Sequence, residues 1–385
     1  MHIVVVGGGP TGLMAALALA CRGIPSTVLE SRLAPTDEWQ SRAITWMPRA
    51  IEVAEAAGFR DQLERASAYR FRHSFTDARG RRLAVVRFDR LESPFPYTLQ
   101  VPQGVSEAIL EQAALATGMV DIKRGFTVGA VRQDTGGVAV TGRVGGRTMT
   151  VRGDLGLGAD GARSIVRAQL GIATTKRDYG AASVVADFLG TSGMPVTRSL
   201  IVLDPGRPRG LFPIAEDRWR LVYRVNHGED RRGAASPEEA SRVLSSFPDA
   251  EAVEWTWTSA FRLAQQNSTS YQRGAWSLAG DAAHPMGPSA GAGMMLGILG
   301  AWRVAWAISR VHDDPGALAA YSREQRAAAI RVQSSNARIF RQIAMTSRVL
   351  GGVRRTVMPA AARLTSLEAR MAREESLADE PLPDL

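Results

Sequence analysis

Apolar and polar positions follow two rhythms along this chain, one helical and one of period two. Residues 2–6, HIVVV, form a short β-branched run of the kind a buried parallel strand shows, and a glycine cluster follows at once. Leu13, Ala16, Leu17, Ala20 and Cys21 then recur at helical spacing until Arg22-Gly23 ends the helix. STVLE at 26–30 reads as a second strand, so the first thirty residues predict strand, glycine turn, helix, strand. Residues 47–66 predict a helix broken near Gly58, residues 102–117 another, and strand-like pieces alternate with glycine turns from about 120 to 158. Between 180 and 260 strand signals dominate, in SLIVL, RWRLVYRV and AVEWTWTSAF, with turns such as Asp204-Pro205-Gly206 between them. The piece around 68–100 reads as a hairpin that joins them. From 296 onward the chain is nearly all helical and ends in an acidic, proline-containing tail expected to fray.

This order predicts a mixed α/β (α+β) fold in which a mostly antiparallel sheet is inserted into a discontinuous α/β domain. The expected division is 1–67, 101–175 and 270–350 for the α/β domain, 68–100 and 176–269 for the inserted sheet, and 351–385 for a C-terminal helix and tail. There is no internal repeat.

Composition narrows the classes. With 385 residues, 45% apolar and 22% charged, the chain can bury a real core and is not a disordered sequence. The net charge is +9, and because only Lys123 and Lys176 are lysines, nearly all the basic residues are arginine. Such an excess suits nucleic acid, an anionic membrane or an anionic small molecule, but composition bias on a solvated surface carries the larger share. Arg331, Arg338, Arg341, Arg348 and Arg355 fall on one side of a notional helix opposite Phe340, Ile343 and Leu350, which reads first as a solvated face. Cys21 is the single cysteine, so no intrachain disulfide forms and no zinc cluster is built; no metal site is expected. The uncharged run 3–21 lacks a basic leader and is broken by Gly-Gly-Gly-Pro, and the smooth run 280–301 holds many glycines and continues into Arg303; neither reads well as a membrane span, and a cytoplasmic protein without nucleic acid is expected.

Three stretches carry chemistry. GGGPTG fits G-x-G-x-x-G with Gly7, Gly9 and Gly12, follows a strand, opens a helix, and is followed 18 residues after Gly12 by Glu30 at the end of the next strand. Glycines permit the tight turn, the close approach of a pyrophosphate and close helix packing, while an acid at that strand end accepts from a ribose diol. A dinucleotide site is favoured over a structural glycine turn, without saying which dinucleotide. GLGADGARSIVR at 156–167 and LAGDAAHPMGPSAGAG at 278–293 each put an Asp, Asp160 or Asp281, between a strand-like piece and a small-residue turn. Either one alone reads equally as a helix N-cap; three such corners in this order do not. Asp281 reads as a buried carboxylate.

With these motifs the chain resembles, over about residues 2–336, the FAD-dependent aromatic hydroxylases of the p-hydroxybenzoate hydroxylase type, single-component flavoprotein monooxygenases. The resemblance implies a glutathione-reductase-like Rossmann FAD domain with an inserted antiparallel-sheet substrate domain and C-terminal helices. Carried over by position, it assigns Gly7, Gly9, Pro10, Thr11 and Gly12 to the FAD pyrophosphate, Glu30 to the adenosine ribose, and Arg42 to the cofactor. It places Gln103 near the ribityl and phosphate groups, Val128 beside the adenine, and Asp160, followed by Arg163, in a motif shared by FAD and the pyridine nucleotide. Asp281 would bind the ribityl chain, Pro288 would lie near the flavin ring, and backbone amides of Gly291, Gly293, Met294 and Met295 would meet the ring, where a Cβ or a charge would collide or be stranded dry.

The chain departs from the family where Ala292 stands for Gln, Met295 for Asn, Gly300-Ala301 for Asp-Ala, and Gly287 for the first proline of a pair. Backbone contacts survive such changes and side-chain hydrogen bonds do not, so altered ring geometry or mobility is expected.

The implied reaction is reduction of FAD by NADH or NADPH, reaction with molecular oxygen, and hydroxylation of an aromatic or polyketide-like small molecule by a flavin hydroperoxide, a chemistry suited to specialised metabolism. No second glycine fingerprint for NAD(P)H is present, consistent with a transient surface site. Among His284, His73 and Tyr223 none is assigned as a catalytic base. Phe212, Trp219, Tyr223, Trp255 and Trp257 read as core before they read as pocket wall. A monomer or homodimer is expected. A flavin oxidoreductase without aromatic hydroxylation, whether oxidase, dehydrogenase or Baeyer-Villiger type, shares every cofactor motif and stays open, as does a non-catalytic nucleotide-binding or nucleic-acid-binding protein favoured only by the charge.

Overall fold

The structure, a computed structural model, describes residues 1–37, 43–226, 228–287, 291–343 and 367–383. At its centre is a six-stranded sheet in the order Gln272–Arg273, Trp276–Leu278, Leu155–Gly158, Ile3–Val6, Ser26–Glu30, Val120–Arg124. All pairings are parallel except the short outer hairpin. Ile3–Val6 is buried at every position, as its unbroken apolar run dictates. Helix Pro10–Ala20 covers this sheet together with helices Gln103–Ala116 and Ala292–Ser309. The predicted break near Gly58 separates helix Pro48–Ala56 from Arg60–Arg65, and Gly58 makes the turn at φ +77°.

A seven-stranded sheet forms the second layer, in the order Glu251–Ser268, Thr174–Thr191, Arg218–Val225, Arg209–Pro213, Arg198–Val202, Arg72–Thr76, Arg82–Arg87. The hairpin 72–87 joins it, but Ala68–Arg70 and Thr98–Gln100 do not: Thr98–Gln100 pairs on one side with Ala68–Arg70 and on the other with Thr45–Trp46 in a small separate sheet. Thr174–Thr191 and Glu251–Ser268 each run for 18 residues, against about 3–10 for ordinary strands. One face of this sheet carries Phe188, Trp219, Leu221 and Tyr223 into a core closed by helix Pro237–Leu244. The other carries a register row of Phe212, Arg220, Asp187 and Trp257 across four strands.

The two layers are stitched together. Segment 283–287 lies antiparallel along strand Glu251–Ser268, with Ser268 N–H donating to Ala283 O (2.9 Å), Gln266 N–H to Pro285 O (2.8 Å) and Gly287 N–H to Ala264 O (2.8 Å). The segment that carries Asp281 is thereby fixed to the second sheet.

One expectation is corrected. The described part of the tail is docked rather than frayed: helix Leu367–Ser376 lies against strand Arg82–Arg87, Ser376 and Leu377 are buried, and Glu380 is buried against Arg303 and Arg331. In the basic stripe, Arg331 and Arg338 are more than half exposed, as a solvated face requires, while Arg331 also pairs with Glu380 and Arg338 lies near Glu374. Arg348 and Arg355 lie outside the described residues. Among the described residues, one helix, Ala292–Ser309, is long and apolar enough to cross a membrane, and 78% of it is buried inside the protein.

Candidate functional site

The glycine turn is built by two different demands. Gly7 takes φ +106°, and a Cβ there would lie 2.4 Å from Ala159 O; a Cβ on Gly12 would lie 1.9 Å from Gly7 O. Those two glycines are required by the chain's own packing. Gly9 is different: a Cβ on it would meet nothing within 4 Å. Its bare backbone caps helix Pro10–Ala20 with no side-chain hydrogen bond, so the first N–H groups of that helix face open space, a ready anion site.

This turn opens on a cleft of about 770 Å³ between the two layers. Gly7, Gly9, Pro10, Thr11, Glu30, Gln103, Val128, Asp160, Arg163, Asp281, Gly291, Gly293 and Met294 all line it. Phe261, Gln265 and Lys176 close it from the second sheet. The structure thus gathers most of the residues singled out in the sequence. Gly12 is buried beneath the turn, and Met295 points into the core, where its sulfur accepts from Met47 N–H at 3.5 Å; neither lines the cleft. Arg42 and Pro288 lie outside the described residues.

Electrostatics at the Glu30 end were not foreseen in full. Glu30 is buried; its Oε1 accepts from Arg32 N–H (2.8 Å) and Nε (2.9 Å), and its Oε2 from Gly8 N–H (2.7 Å). Burial alone would raise its pKa, but the hydrogen bonds and charge of Arg32 and the Gly8 N–H outweigh it and hold the carboxyl below its ordinary value. Arg32 reaches on through Nη1 to Glu107 Oε2 at 3.1 Å, and Gln103 donates to Glu107 Oε1 at 2.9 Å. Sequence reasoning missed Arg32 and Glu107. The signal was present, since Gln103 and Glu107 are four apart and share one face of a helix.

Both aspartates depart from the simplest expectation. Asp160 accepts from Ser164 Oγ (2.6 Å), Ile165 N–H (2.7 Å) and Val166 N–H (3.1 Å), so its carboxylate caps helix Ile165–Gln169 while the residue also lines the cleft. Asp281 is exposed at the cleft wall, not buried, because the turn Gly280–Ala282 lifts it out of the layer. The smooth run around it is small for packing as well: a Cβ on Gly280 or on Gly297 would lie 2.4 Å from Thr11 Oγ1, and one on Gly300 would lie 2.6 Å from the Gln325 amide. Gly291 begins helix Ala292–Ser309 at φ +69° and does face the cleft.

The candidate bases are elsewhere occupied. His284 is fully buried against Tyr271, and burial pushes its pKa down to about 4. Tyr223 donates to Ala234 O at 2.6 Å within the core. His73 lies between the rings of Phe88 and Phe212, held neutral by burial and by Arg70. Of the five aromatics considered as pocket wall, Trp219, Tyr223 and Trp255 pack on the helix side, whereas Phe212 and Trp257 stand on the face that continues to Phe261 at the cleft.

A parallel sheet entered through a bare glycine turn, an acid at the next strand end and a second sheet closing the cleft define a two-layer dinucleotide-binding α/β protein. The family described as FAD binding domain matches residues 1–335. Rifampicin monooxygenase of Streptomyces venezuelae is 32% identical over 343 residues, 86% of this chain and 69% of that protein. Pentachlorophenol 4-monooxygenase of Sphingobium chlorophenolicum is 30% identical over 318 residues, 80% of this chain and 58% of that one. The crystal structure of p-nitrophenol 4-monooxygenase from Pseudomonas putida shares the fold at a TM-score of 0.85 and 22% identity, covering 97% of this chain and 98% of that one. The chain belongs to the FAD-dependent aromatic hydroxylase family, although it spans only 58% to 69% of the lengths of those two curated relatives. The residues present fit FAD: a bare backbone at Gly9, a helix N-terminus, an ionised acid at Glu30 and a cleft lined in part by the Cβ-free Gly291 and Gly293.

Proposed function

We propose that the protein is an FAD-dependent monooxygenase of the cytoplasm that consumes NADH or NADPH and hydroxylates an aromatic or polyketide-like small molecule. In the balanced reaction, substrate C–H, O2, NAD(P)H and a proton give substrate C–OH, NAD(P)+ and water. Bound FAD supplies the two-electron transfer from the nicotinamide and the activation of O2. The chain's own residues bind and orient. Gly7, Gly9, Pro10 and Thr11 would hold the pyrophosphate, with Gly12 packing beneath them. Glu30 would accept from the adenosine ribose, and Val128 would flank the adenine. Gln103 and Asp281 would meet the ribityl and phosphate part, Asp160 would hold the helix entrance beside it, and Gly291, Gly293 and Met294 would leave room for the ring. Arg42, Pro288 and the Met295 backbone complete the proposed set by position in the sequence.

The observation that carries this reading is the stitching of segment 283–287 to strand Glu251–Ser268, which sets Pro285, Met286 and Gly287 on the cleft wall together with Phe261, whose ring meets Trp257. A planar, electron-rich substrate suits that aromatic face. Relatives named for rifampicin and pentachlorophenol support the same class.

The test is purification followed by a visible spectrum, then NAD(P)H oxidation against a panel of phenols and polycyclic aromatics under 18O2. Yellow protein and one heavy oxygen atom in a product support the reading. A flavin-loaded protein that converts substrates without incorporating oxygen overturns it in favour of a dehydrogenase or oxidase.

A further inference from the structure

Two segments that line the cleft, the Gly280–Ala282 turn and the first turns of helix Ala292–Ser309, converge on one buried side chain. Gln325 has no exposure; its amide nitrogen donates to Leu296 O at 3.1 Å and lies 3.5 Å from His284 Nε2, while His284 N–H donates to Gly280 O at 2.9 Å. The Gln325 carbonyl oxygen is held in turn by Arg303 Nη1 at 2.5 Å. This hydrogen bond fixes which end of the amide faces the helix and which faces the arginine.

Arg303 is buried, and what neutralises it comes from the far end of the chain. Its Nη2 lies 3.2 Å from Glu380 Oε2, and Nε and Nη2 donate to Pro381 O at 3.0 and 2.7 Å. Glu380 is also buried and takes a second cation, Arg331, at 2.8 Å. A buried guanidinium that loses its partner anion must rearrange or draw in water. Arg303 divides its guanidinium among Glu380, Pro381 O and Gln325, so a rearrangement loosens its hold on Gln325.

We propose that Glu380 is a positioning residue of the cofactor cleft, acting through Arg303 and Gln325 to fix the Gly280–Ala282 turn and the start of helix Ala292–Ser309 against the flavin end of FAD. The inference rests on the reading of the cleft as an FAD site. It gives the C-terminal segment a role at a distance: the body supplies the cleft, and the tail holds two of the segments that line it.

Other ties on the same segment allow a clean control. Glu368 accepts from Val85 N–H at 2.8 Å, and Trp302 donates to Pro383 O at 2.8 Å, and neither touches Gln325. The experiment compares wild type, Glu380→Gln, Glu368→Gln and the pair Glu380→Gln with Arg303→Met in the FAD-loaded protein, reading FAD Kd by flavin fluorescence and the shape of the flavin absorption near 450 nm. Glu380→Gln should raise Kd about tenfold and shift the absorption band. Glu368→Gln should lower Tm with Kd within about twofold, and the double variant should match Glu380→Gln rather than add to it. Should Glu380→Gln not fold, Glu380→Asp, which keeps the charge on a shorter arm, should show a weaker change of the same sign. Wild type that binds FAD beside a folded Glu380 variant with unchanged Kd and spectrum overturns the inference. Wild type that binds no FAD overturns the cofactor reading instead.

Discussion

Arg220 grips Asp187 through two parallel hydrogen bonds, Nε to Oδ1 and Nη2 to Oδ2, each 2.7 Å, between register partners on neighbouring antiparallel strands. Both side chains are buried in the row that includes Phe212 and Trp257. Removing the carboxylate alone breaks both bonds to a buried guanidinium, so Asp187→Ala should destabilise the protein by about 3–5 kcal/mol in urea unfolding. The double replacement Asp187→Leu with Arg220→Met should recover most of that loss.

Two of the fingerprint glycines should separate in mutagenesis. Gly12→Ala drives a methyl to within 1.9 Å of Gly7 O and should lower stability by about 3 kcal/mol or more. Gly9→Ala meets nothing in the chain, so the protein without FAD should stay within about 0.5 kcal/mol of wild type. Its FAD Kd should nevertheless rise at least tenfold. Thermal melts with and without FAD read both effects.

Arg32 stands between Glu30 and Glu107, and its removal leaves two acids facing each other without a cation. Because Arg32 is partly exposed, Arg32→Met should cost about 1–2 kcal/mol at pH 7. The sign with pH is fixed by Glu30, whose folded pKa lies below its ordinary value of 4.5. The stability it contributes is present above that value and is lost as pH falls. The gap in Tm between wild type and Arg32→Met should therefore close as the pH is lowered below about 4.5.

Glu375 behaves in the opposite sense. Burial, against the charge of Arg70 and with the help of Glu374, raises its pKa to about 7, and His73, 3.4 Å away, is held neutral by burial and by Arg70. Their contact is therefore not an ion pair near pH 6. A raised carboxyl destabilises the fold as pH climbs from its ordinary value of 4.5 to about 7, since the unfolded chain gives up its proton first. Glu375→Gln should gain on wild type across that window, by up to about 3 kcal/mol. Differential melts at pH 4.5, 6 and 7.5 check it; a gap independent of pH would contradict the assignment.

What the sequence revealed and what it hid follow a physical line. The strand Ile3–Val6, its glycine turn and Glu30 were legible because each is a local demand, satisfied within thirty residues. The hairpin at 72–87 was legible, whereas the pairing of Thr98–Gln100 with Ala68–Arg70 and with Thr45–Trp46 was not, since short strands carry too few positions to show which partner they choose. Glu107 and Glu380 escaped notice for a related reason. A charged residue on a helix or tail looks solvated until the arginine that meets it is known, and Arg303 lies 77 positions from Glu380. Asp281 shows the reverse error: small neighbours suggested burial, but they are small because Thr11 and Gln325 press on the glycines, and the carboxylate itself stays outside.

Helix Pro10–Ala20 carries the bare glycine turn at one end and Cys21, exposed and the chain's single thiol, just past the other. Eleven residues of α-helix make a rigid arm of about 16 Å. A maleimide dye coupled there would need no further engineering to serve as an optical ruler. Energy transfer to an isoalloxazine would then time each arrival and departure of the prosthetic group in single molecules.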